Sequence, residues 1–412
     1  MNLKTALSQS LADDPSDGAP WVLALDALHF LRASDAMHVR AAHRILRNEF
    51  SQSNLVADSQ PGHVNAQLLD ANLINPWGIA FSPTGAFWVA NNHTGTATVY
   101  SVNPANDTAT AVPLVVTIAP PTGQTFTASP TGTVFNSDPN PGFMVGGSPA
   151  TFIFATEDGT ISAWNGGMQT TLEVDYSNNP AHGDPSVPPD EGIGAVYKGL
   201  AMGTDTSTDT TLLFATNFRH GTVDVFNDQW QQVMSLTDGS LPVGYAPFGA
   251  QVLDGHLFVT FAMQDQFKHD DVSGAGHGFV DEFNLSGQLV SRVVSGGELN
   301  SPWGLAIAPS DFGKFSGDLL VGNFGDGTID AYDLNHGDRF VGKLPGIDGN
   351  PVTIGDLWAL TPGNDGQAGS SDRIYFTAGI QGESFGLFGS LAHVPNSDRF
   401  MVTGADPHAM IG

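Results

Sequence analysis

The chain has 412 residues, of which 41% are hydrophobic and only 14% are charged. Its net charge of −28 at pH 7 repels phosphate backbones, which excludes nucleic acid as a partner of the body of the protein. The absence of cysteine excludes disulfides, thiolate metal sites and a cysteine nucleophile, and no apolar stretch reaches the roughly 20 residues that a membrane span needs.

Residues 1–49 are predicted to form a helical N-terminal arm. Segments 21–31 and 36–46 have apolar residues at helical spacing, and Ser34 or Asp35 is a suitable N-cap between them. The arm therefore differs from the rest of the chain, in which apolar runs are short and separated by glycine and proline.

The charge of the arm suggests that it mediates contacts. Arg40, Arg44 and Arg47 lie at i, i+4 and i+7, on one side of the second predicted helix. Residues 1–50 have a net charge of −1, whereas the remaining residues have a net charge of −27. Such an arm would dock either on the acidic body of its own chain or on that of a neighbouring subunit, which would build an oligomer or filament.

One phrase recurs six times after residue 70. Its strongest copies are residues 75–80 (NPWGIA) and 301–306 (SPWGLA). The six equivalent positions are Trp77, Thr131, Lys198, Phe248, Trp303 and Trp358, at spacings of 54, 67, 50, 55 and 55 residues. The longest interval contains an insertion at residues 182–190. A repeat of this length is typical of propeller blades and solenoids.

A second phrase follows each copy of the first. It consists of an apolar run, a turn with glycine and an alternating strand that ends in an aromatic residue, which is the pattern of a β-hairpin. The copies are residues 87–100, 152–164, 213–226, 257–283, 319–332 and 374–388. Six such units predict an all-β fold, a six-bladed β-propeller over residues 50–412. Residues 54–57 are expected to supply the outer strand of the last blade, beside residues 392–402.

These motifs resemble a family of uncharacterised secreted bacterial proteins, related to the NHL and SMP-30-like six-bladed propellers. The resemblance covers about residues 50–394, and its most specific segments are 54–58 (NLVAD), 75–80, 87–92 (FWVANN), 155–161 (ATEDGTI) and 301–306. It implies the propeller fold and export from the cell, but no catalytic residue, because the family has no established activity. The arm departs from the family pattern, since members often begin with a signal peptide and residues 1–11 lack its features. The expected location is therefore extracellular, by an unidentified route.

The turn after the second strand of each blade offers candidate metal ligands. The sequence alignment of the hairpins treats Asn92, Glu157, Asn217, Ala262, Asn323 and Ala378 as equivalent. Four of these side chains offer oxygen atoms, the ligands that Ca²⁺ prefers. The alternative is that asparagine in such turns hydrogen-bonds the backbone.

Two further sets of side chains are candidates for a site at the channel mouth. His93 and His220 lie close to the predicted metal position and would serve as general bases. Trp77, Trp303 and Trp358 share one repeat position, where they would form either an aromatic platform for a sugar or peptide or a packing layer between blades.

Two functions follow from these predictions. The first is an extracellular propeller that acts as a structural, self-associating or binding protein, with the arm in subunit contacts and a small-molecule or carbohydrate ligand of unknown identity. The alternative is a calcium-dependent lactonase or esterase-like hydrolase, in which Glu157, Asn217 and Asn323 hold the ion. In that case His93 or His220 is the base.

Overall fold

The computed structural model describes residues 48–58, 64–188 and 192–395. A compact unit extends from Glu49 to Val394. Residues 1–47, which hold the predicted helices and the Arg40, Arg44 and Arg47 stripe, lie outside the described residues, as do residues 396–412. The first described strand begins at Glu49, so the predicted arm extends one residue too far into the propeller.

The described strands form six four-stranded antiparallel blades, and the sixth has one added strand. Blade one contains β3 (Pro76–Ala80), β4 (Phe87–Asn91), β5 (Thr96–Val102) and β6 (Ala109–Thr117), and blade two contains β7 (Pro130–Phe135), β10 (Phe152–Thr156), β11 (Thr160–Trp164) and β12 (Thr171–Asp175). Blade three contains β13 (Tyr197–Asp205), β14 (Thr210–Asn217), β15 (Thr222–Phe226) and β16 (Gln232–Leu236). Blade four contains β17 (Tyr245–Leu253), β18 (His256–Met263), β19 (Phe279–Asn284) and β20 (Leu289–Ser295).

The other strands complete the ring. Blade five contains β21 (Pro302–Ile307), β22 (Leu319–Asn323), β23 (Ile329–Asp333) and β24 (Arg339–Lys343), and blade six contains β25 (Leu357–Pro362), β26 (Arg373–Ala378), β27 (Leu387–Val394), β1 (Glu49–Ala57) and β2 (Leu68–Leu69). A small ribbon, β8 (Met144–Val145) with β9 (Ser148–Pro149), decorates blade two, and short 3-10 helices lie at Asn92–Thr94, Gly313–Phe315 and Leu334–His336. No helix in the described part of the chain has the length and apolar character to cross a bilayer.

The N-terminal strand β1 closes the ring by pairing with β27 of the last blade. The antiparallel register places Phe50 opposite His393 and Asn54 opposite Gly389. Residues 54–57 therefore lie beside residues 387–389, not beside 392–402 as the sequence suggested. The difference arises because β1 has nine residues and starts five residues before the predicted strand.

A ring of glycines allows the inner strands to approach one another. A Cβ atom added to Gly199 would lie 2.8 Å from the carbonyl oxygen of Phe248 in the next blade, and one added to Gly78 would lie 2.6 Å from that of Thr131. Gly132, Gly249 and Gly304 are equally close to the backbone of their neighbouring blades. Only glycine fits such contacts, which explains the glycine that follows the Trp77-equivalent position in five of the six copies of the repeated phrase.

We call the face on which the second strand of each blade turns into the third the mouth face, and the opposite face the far face. The mouth face also carries the start of each inner strand, because inner and second strands run antiparallel. Strand β27 leaves the mouth face at Leu387, so its end at Val394 lies on the far face, beside the start of β1. The two described ends of the propeller therefore meet on the far face.

Candidate functional site

The strand register corrects the predicted ring of metal ligands. The residue just before Trp77 and before each of its equivalents pairs with the second strand of its blade, as Pro76 does with Asn91 and Pro302 with Asn323. The equivalent residues are therefore Asn91, Thr156, Asn217, Phe261, Asn323 and Ala378. Asn92, Glu157 and Ala262 lie one residue further along the chain, so the predicted set mixed two positions.

Asn217 and Asn323 stabilise the ends of their hairpins. The amide of Asn217 donates to Asp224 Oδ2 at 3.1 Å, while its oxygen accepts from the backbone N–H of His220 at 3.2 Å. The amide of Asn323 donates to Asp330 Oδ2 at 2.9 Å. Both asparagines are buried, and these contacts match the turn interpretation better than a site shared with Glu157.

The three equivalent tryptophans form a packed layer on the propeller axis. Trp77 stacks on Trp358 with ring centroids 3.4 Å apart, and Trp303 meets Trp358 edge-on at 5.8 Å. The indole nitrogen of Trp303 donates to the Lys198 carbonyl oxygen, and that of Trp358 donates to Asn75 Oδ1, both at 3.0 Å. All three rings are buried, so the packing interpretation describes them and they present no exposed platform.

A buried lysine interrupts this aromatic layer. Lys198 is 2% exposed, and its ammonium group donates to Glu157 Oε1 and, at 3.0 Å, to Asp270 Oδ1. The Nζ atom also lies 5.3 Å from the centre of the Trp77 ring, within range of a cation–π interaction. Glu157 is completed by Asn92, whose amide donates to Oε2 at 2.7 Å.

The charges in this cluster hold each other ionised. Burial alone would raise the pKa of Glu157, but the charge of Lys198 and the hydrogen bonds from Lys198 and Asn92 outweigh it and lower the pKa. Burial would likewise lower the pKa of Lys198, but the charges of Glu157 and Asp270 raise it. Lys198 therefore stays an ammonium group and Glu157 a carboxylate over the physiological pH range.

A second network extends from the axis to blade six. The Asn75 amide donates to Glu383 Oε2 at 2.6 Å and lies 3.4 Å from His93 Nε2. Burial raises the pKa of Glu383 to about 7, although the Asn75 hydrogen bond opposes the shift. His93 is exposed at this rim and directly follows Asn92 of the lysine cluster, but its ring lies beside Asn75.

A pocket of about 230 Å³ opens beside the lysine cluster, between blades two and three. The side chains with polar or aromatic groups that matter most for a ligand are Phe126, Glu157, Asp158, Asn178, Arg219 and His269. Burial raises the pKa of Asp158 to about 6, although a hydrogen bond from Ser129 opposes the shift. His220 follows Arg219 but bonds the Gly183 carbonyl oxygen at 2.7 Å through Nδ1.

The long turn of blade four closes one side of the pocket. Lys268 pairs with Asp184 of the insertion between blades two and three, and the next residue, His269, lines the pocket. His269 Nδ1 lies 2.9 Å from Asp270 Oδ1, the same oxygen that contacts Lys198. Lys268 and Asp270 thus fix this turn to neighbouring parts of the propeller. The repeat predicted the position of Lys198 but not its role in this cluster.

The described residues offer one group of metal-ligand type. Ligand atoms of Glu157, His269 and Asp270 all lie within 4.8 Å of one another. However, the Lys198 ammonium already contacts both carboxylates and supplies the positive charge that an ion would bring. Since Ca²⁺ needs six to eight oxygen ligands and would meet this ammonium, the residues present do not fit a calcium site.

The chain has relatives among viral proteins. No family model matches it. Two uncharacterized proteins of Acanthamoeba polyphaga mimivirus are each 29% identical to it, one over 336 residues (78% of this chain and 76% of the relative) and one over 338 residues (80% and 83%). A streptogramin B lyase structure has 10% identity and a TM-score of 0.49, covering 85% of this chain and 99% of that one. The apo-form of the soluble aldose sugar dehydrogenase from Escherichia coli has 11% identity and a TM-score of 0.46, covering 83% and 99%. The relatives have no stated activity, and the structural likenesses are too distant to assign one.

Proposed function

We propose that this protein is a ligand-binding β-propeller that takes a small polar molecule in the mouth-face pocket. The observation that carries the proposal is the buried Lys198–Glu157 pair beside an open polar cavity of about 230 Å³. Removing two charges from water costs several kcal/mol per ion, so such a pair is poor evidence for stability alone. Perturbed charged groups beside a cleft are typical of functional sites.

The size of the pocket limits the ligand. Sites for drug-sized ligands enclose about 300–1,000 Å³, so a cavity of about 230 Å³ suits a single small ring or a short chain. The β-sheet scaffold and the two ion pairs of the blade-four turn, Lys268 with Asp184 and Asp270 with Lys198, hold the lining in place before a ligand arrives. Preorganisation of this kind lowers the entropic cost of binding.

A thermal-shift screen of small polar metabolites tests the proposal. The variant Asn178→Trp places a bulky ring at the exposed pocket wall, whereas Asn335→Trp places the same ring on an exposed turn between β23 and β24, on the far face. We expect compounds that raise the melting temperature of the wild type and of Asn335→Trp but not of Asn178→Trp. Compounds that stabilise all three proteins equally would place binding elsewhere and refute the proposal.

The proposal also covers the N-terminal residues and the location of the protein in or outside the cell. We propose that the protein is extracellular and that residues 1–47 mediate self-association, which is motivated by the contrast between the basic stripe and the acidic body. Light scattering on the full chain and on a variant with Arg40, Arg44 and Arg47 all changed to glutamate tests the second part. The expected result is a larger wild-type assembly that dissociates in the variant and also at high salt, while Arg339→Glu has no effect. Equal masses for all three proteins would refute it.

A hydrolase remains the second candidate, because the Asp270–His269 pair has the arrangement of a carboxylate that orients an imidazole base. This favours His269 over His93 and His220, which do not line the pocket. The calcium-dependent form is tested by elemental analysis after dialysis against calcium. We expect less than one equivalent bound. One equivalent that is lost in Glu157→Gln would restore the calcium hypothesis.

A further inference from the structure

We infer that the mouth-face pocket binds a neutral polyhydroxylated ligand, a single sugar ring or the terminal ring of a longer carbohydrate. The inference rests on the proposed binding function and specifies its ligand class. Three properties of the pocket support it: the balance of charges around it, the kinds of hydrogen-bonding groups in its wall, and one exposed aromatic ring at its edge.

The balance of charges disfavours both charged classes of ligand. Glu157 and Asp158 face the pocket from the turn of blade two, and Arg219 faces it from that of blade three. Lys198 lies directly behind Glu157, and His269 closes the side formed by blade four. An ammonium ligand would meet Lys198 and Arg219, while an anion would meet two carboxylates and the overall charge of −28. A neutral ligand meets no such penalty.

The wall offers acceptors and donors side by side. Asp158 uses Oδ2 to accept from the Ser129 backbone N–H at 2.8 Å, which leaves Oδ1 for a ligand. Gln124 and Asn178 line the same pocket with exposed amides that both donate and accept. A sugar hydroxyl also donates and accepts, so adjacent hydroxyls can use a carboxylate and an amide at the same time. Few other neutral small molecules offer so many such groups.

Phe126 supplies the apolar component. Its side chain is 49% exposed at the edge of the pocket, next to Pro121. Single exposed apolar side chains are common on protein surfaces, so Phe126 supports a ligand only because it lies at the edge of a polar pocket. The C–H face of a sugar ring would cover this surface while its hydroxyls point towards Asp158 and Asn178. The combination of aromatic edge and polar wall is amphipathic, as is the ring of a hexose.

Titration calorimetry and saturation-transfer NMR at pH 7.5 test the ligand class. The probes are D-glucose, D-galactose, D-mannose and N-acetylglucosamine, with putrescine as the cationic comparison and citrate as the anionic one. The variants are Phe126→Ala and Asp158→Asn, with Phe340→Ala on β24 as the matched control, because Phe340 is also exposed but lies on blade five. Melting curves verify that each variant is folded.

We expect at least one sugar to bind, with an affinity at least tenfold lower in Phe126→Ala and in Asp158→Asn and unchanged in Phe340→Ala. If putrescine or citrate binds with this variant dependence and no sugar does, the pocket is a binding site but the carbohydrate assignment is wrong. If no probe binds, the carbohydrate assignment is also overturned, and the metabolite screen with Asn178→Trp decides separately whether the binding function itself fails.

Discussion

Replacing Lys198 by methionine would remove the cation from the axial cluster while keeping most of the side-chain volume. Lys198 is buried, and it is the cation that contacts both Glu157 and Asp270 among the described residues. Asp270 is 66% exposed and would regain water when its partner is lost. Glu157 is only 13% exposed, so its carboxylate would remain buried, with the Asn92 amide still donating to it.

The magnitude follows from that uncompensated carboxylate. Breaking a buried ion pair by removing one partner costs about 3–5 kcal/mol. The unfolding entropy of a unit spanning Glu49 to Val394 is about 0.7 kcal/mol/K at the usual value per residue, so the cost corresponds to a fall of about 4–7 °C in melting temperature. The double variant Lys198→Met with Glu157→Gln carries no net charge at this position and should recover most of the loss, because replacing both partners is often nearly neutral.

The pH dependence has a definite sign. In the wild type the pKa of Glu157 is lowered, so its contribution is present above the unfolded pKa and lost as the pH falls through the folded pKa. Without Lys198, burial is opposed only by His269 and the Asn92 hydrogen bond and raises the pKa of Glu157, so the penalty is full at pH 8 and fades as the carboxyl group becomes protonated in acid. Melting curves of the wild type, both single variants and the double variant at pH 8 and pH 4.5 measure this. A deficit that does not change with pH, or a double variant as unstable as Lys198→Met, would refute the assigned role of the pair.

Three other predictions concern the scaffold and the rim. Gly249→Ala should destabilise the propeller by about 1–3 kcal/mol because the added methyl group meets the backbone of the next blade. The control Gly239→Ala places its methyl group in open space and should change stability by less than about 0.5 kcal/mol. Thermal unfolding compares the two variants. Phe50→Ala should cost about 3–5 kcal/mol, because this buried ring of β1 packs on Phe312 in blade five at 4.4 Å, and an unchanged melting temperature would contradict the ring closure. Glu383→Gln should leave stability unchanged at pH 4 and raise it increasingly up to about pH 7, because the raised pKa of Glu383 makes its ionisation unfavourable to folding in that interval; parallel pH–melting curves for variant and wild type would show that Glu383 does not titrate in this way.

The blades were predictable because their pattern is local and repeated. The alternating apolar and polar residues of a hairpin and its glycine turn lie within about 15 residues, and six copies of the pattern make a chance match improbable. Five of the six inner strands carry a glycine directly after the position equivalent to Trp77, because the strand must approach the next backbone closely, as at Gly78 and Gly199. The length of β1 was less predictable, since its pairing with β27 joins distant parts of the chain.

The site was harder to predict because it depends on departures from the repeat. Adjacent asparagines at positions 91 and 92 hid the correct register, although counting four residues back from Gly95, Gly221 and Gly327 would have found Asn91 with its true equivalents. The repeated phrase showed that Lys198 is equivalent to Trp77. His269 and Asp270 lie in the long turn of blade four, whose path is set by contacts to other blades and leaves no local pattern.

The break in symmetry on the axis accounts for the position of the pocket. Of the six positions aligned with Trp77, four are aromatic, in blades one, four, five and six. These four side chains pack into one buried layer. The two exceptions are neighbours, Thr131 in blade two and Lys198 in blade three. Neither fills the axis as an indole ring does, so the Glu157 side chain can turn inward to meet the ammonium. The pocket opens beside the two blades at which the aromatic repeat is interrupted, so the interruption points to the site more directly than the features that the six blades share.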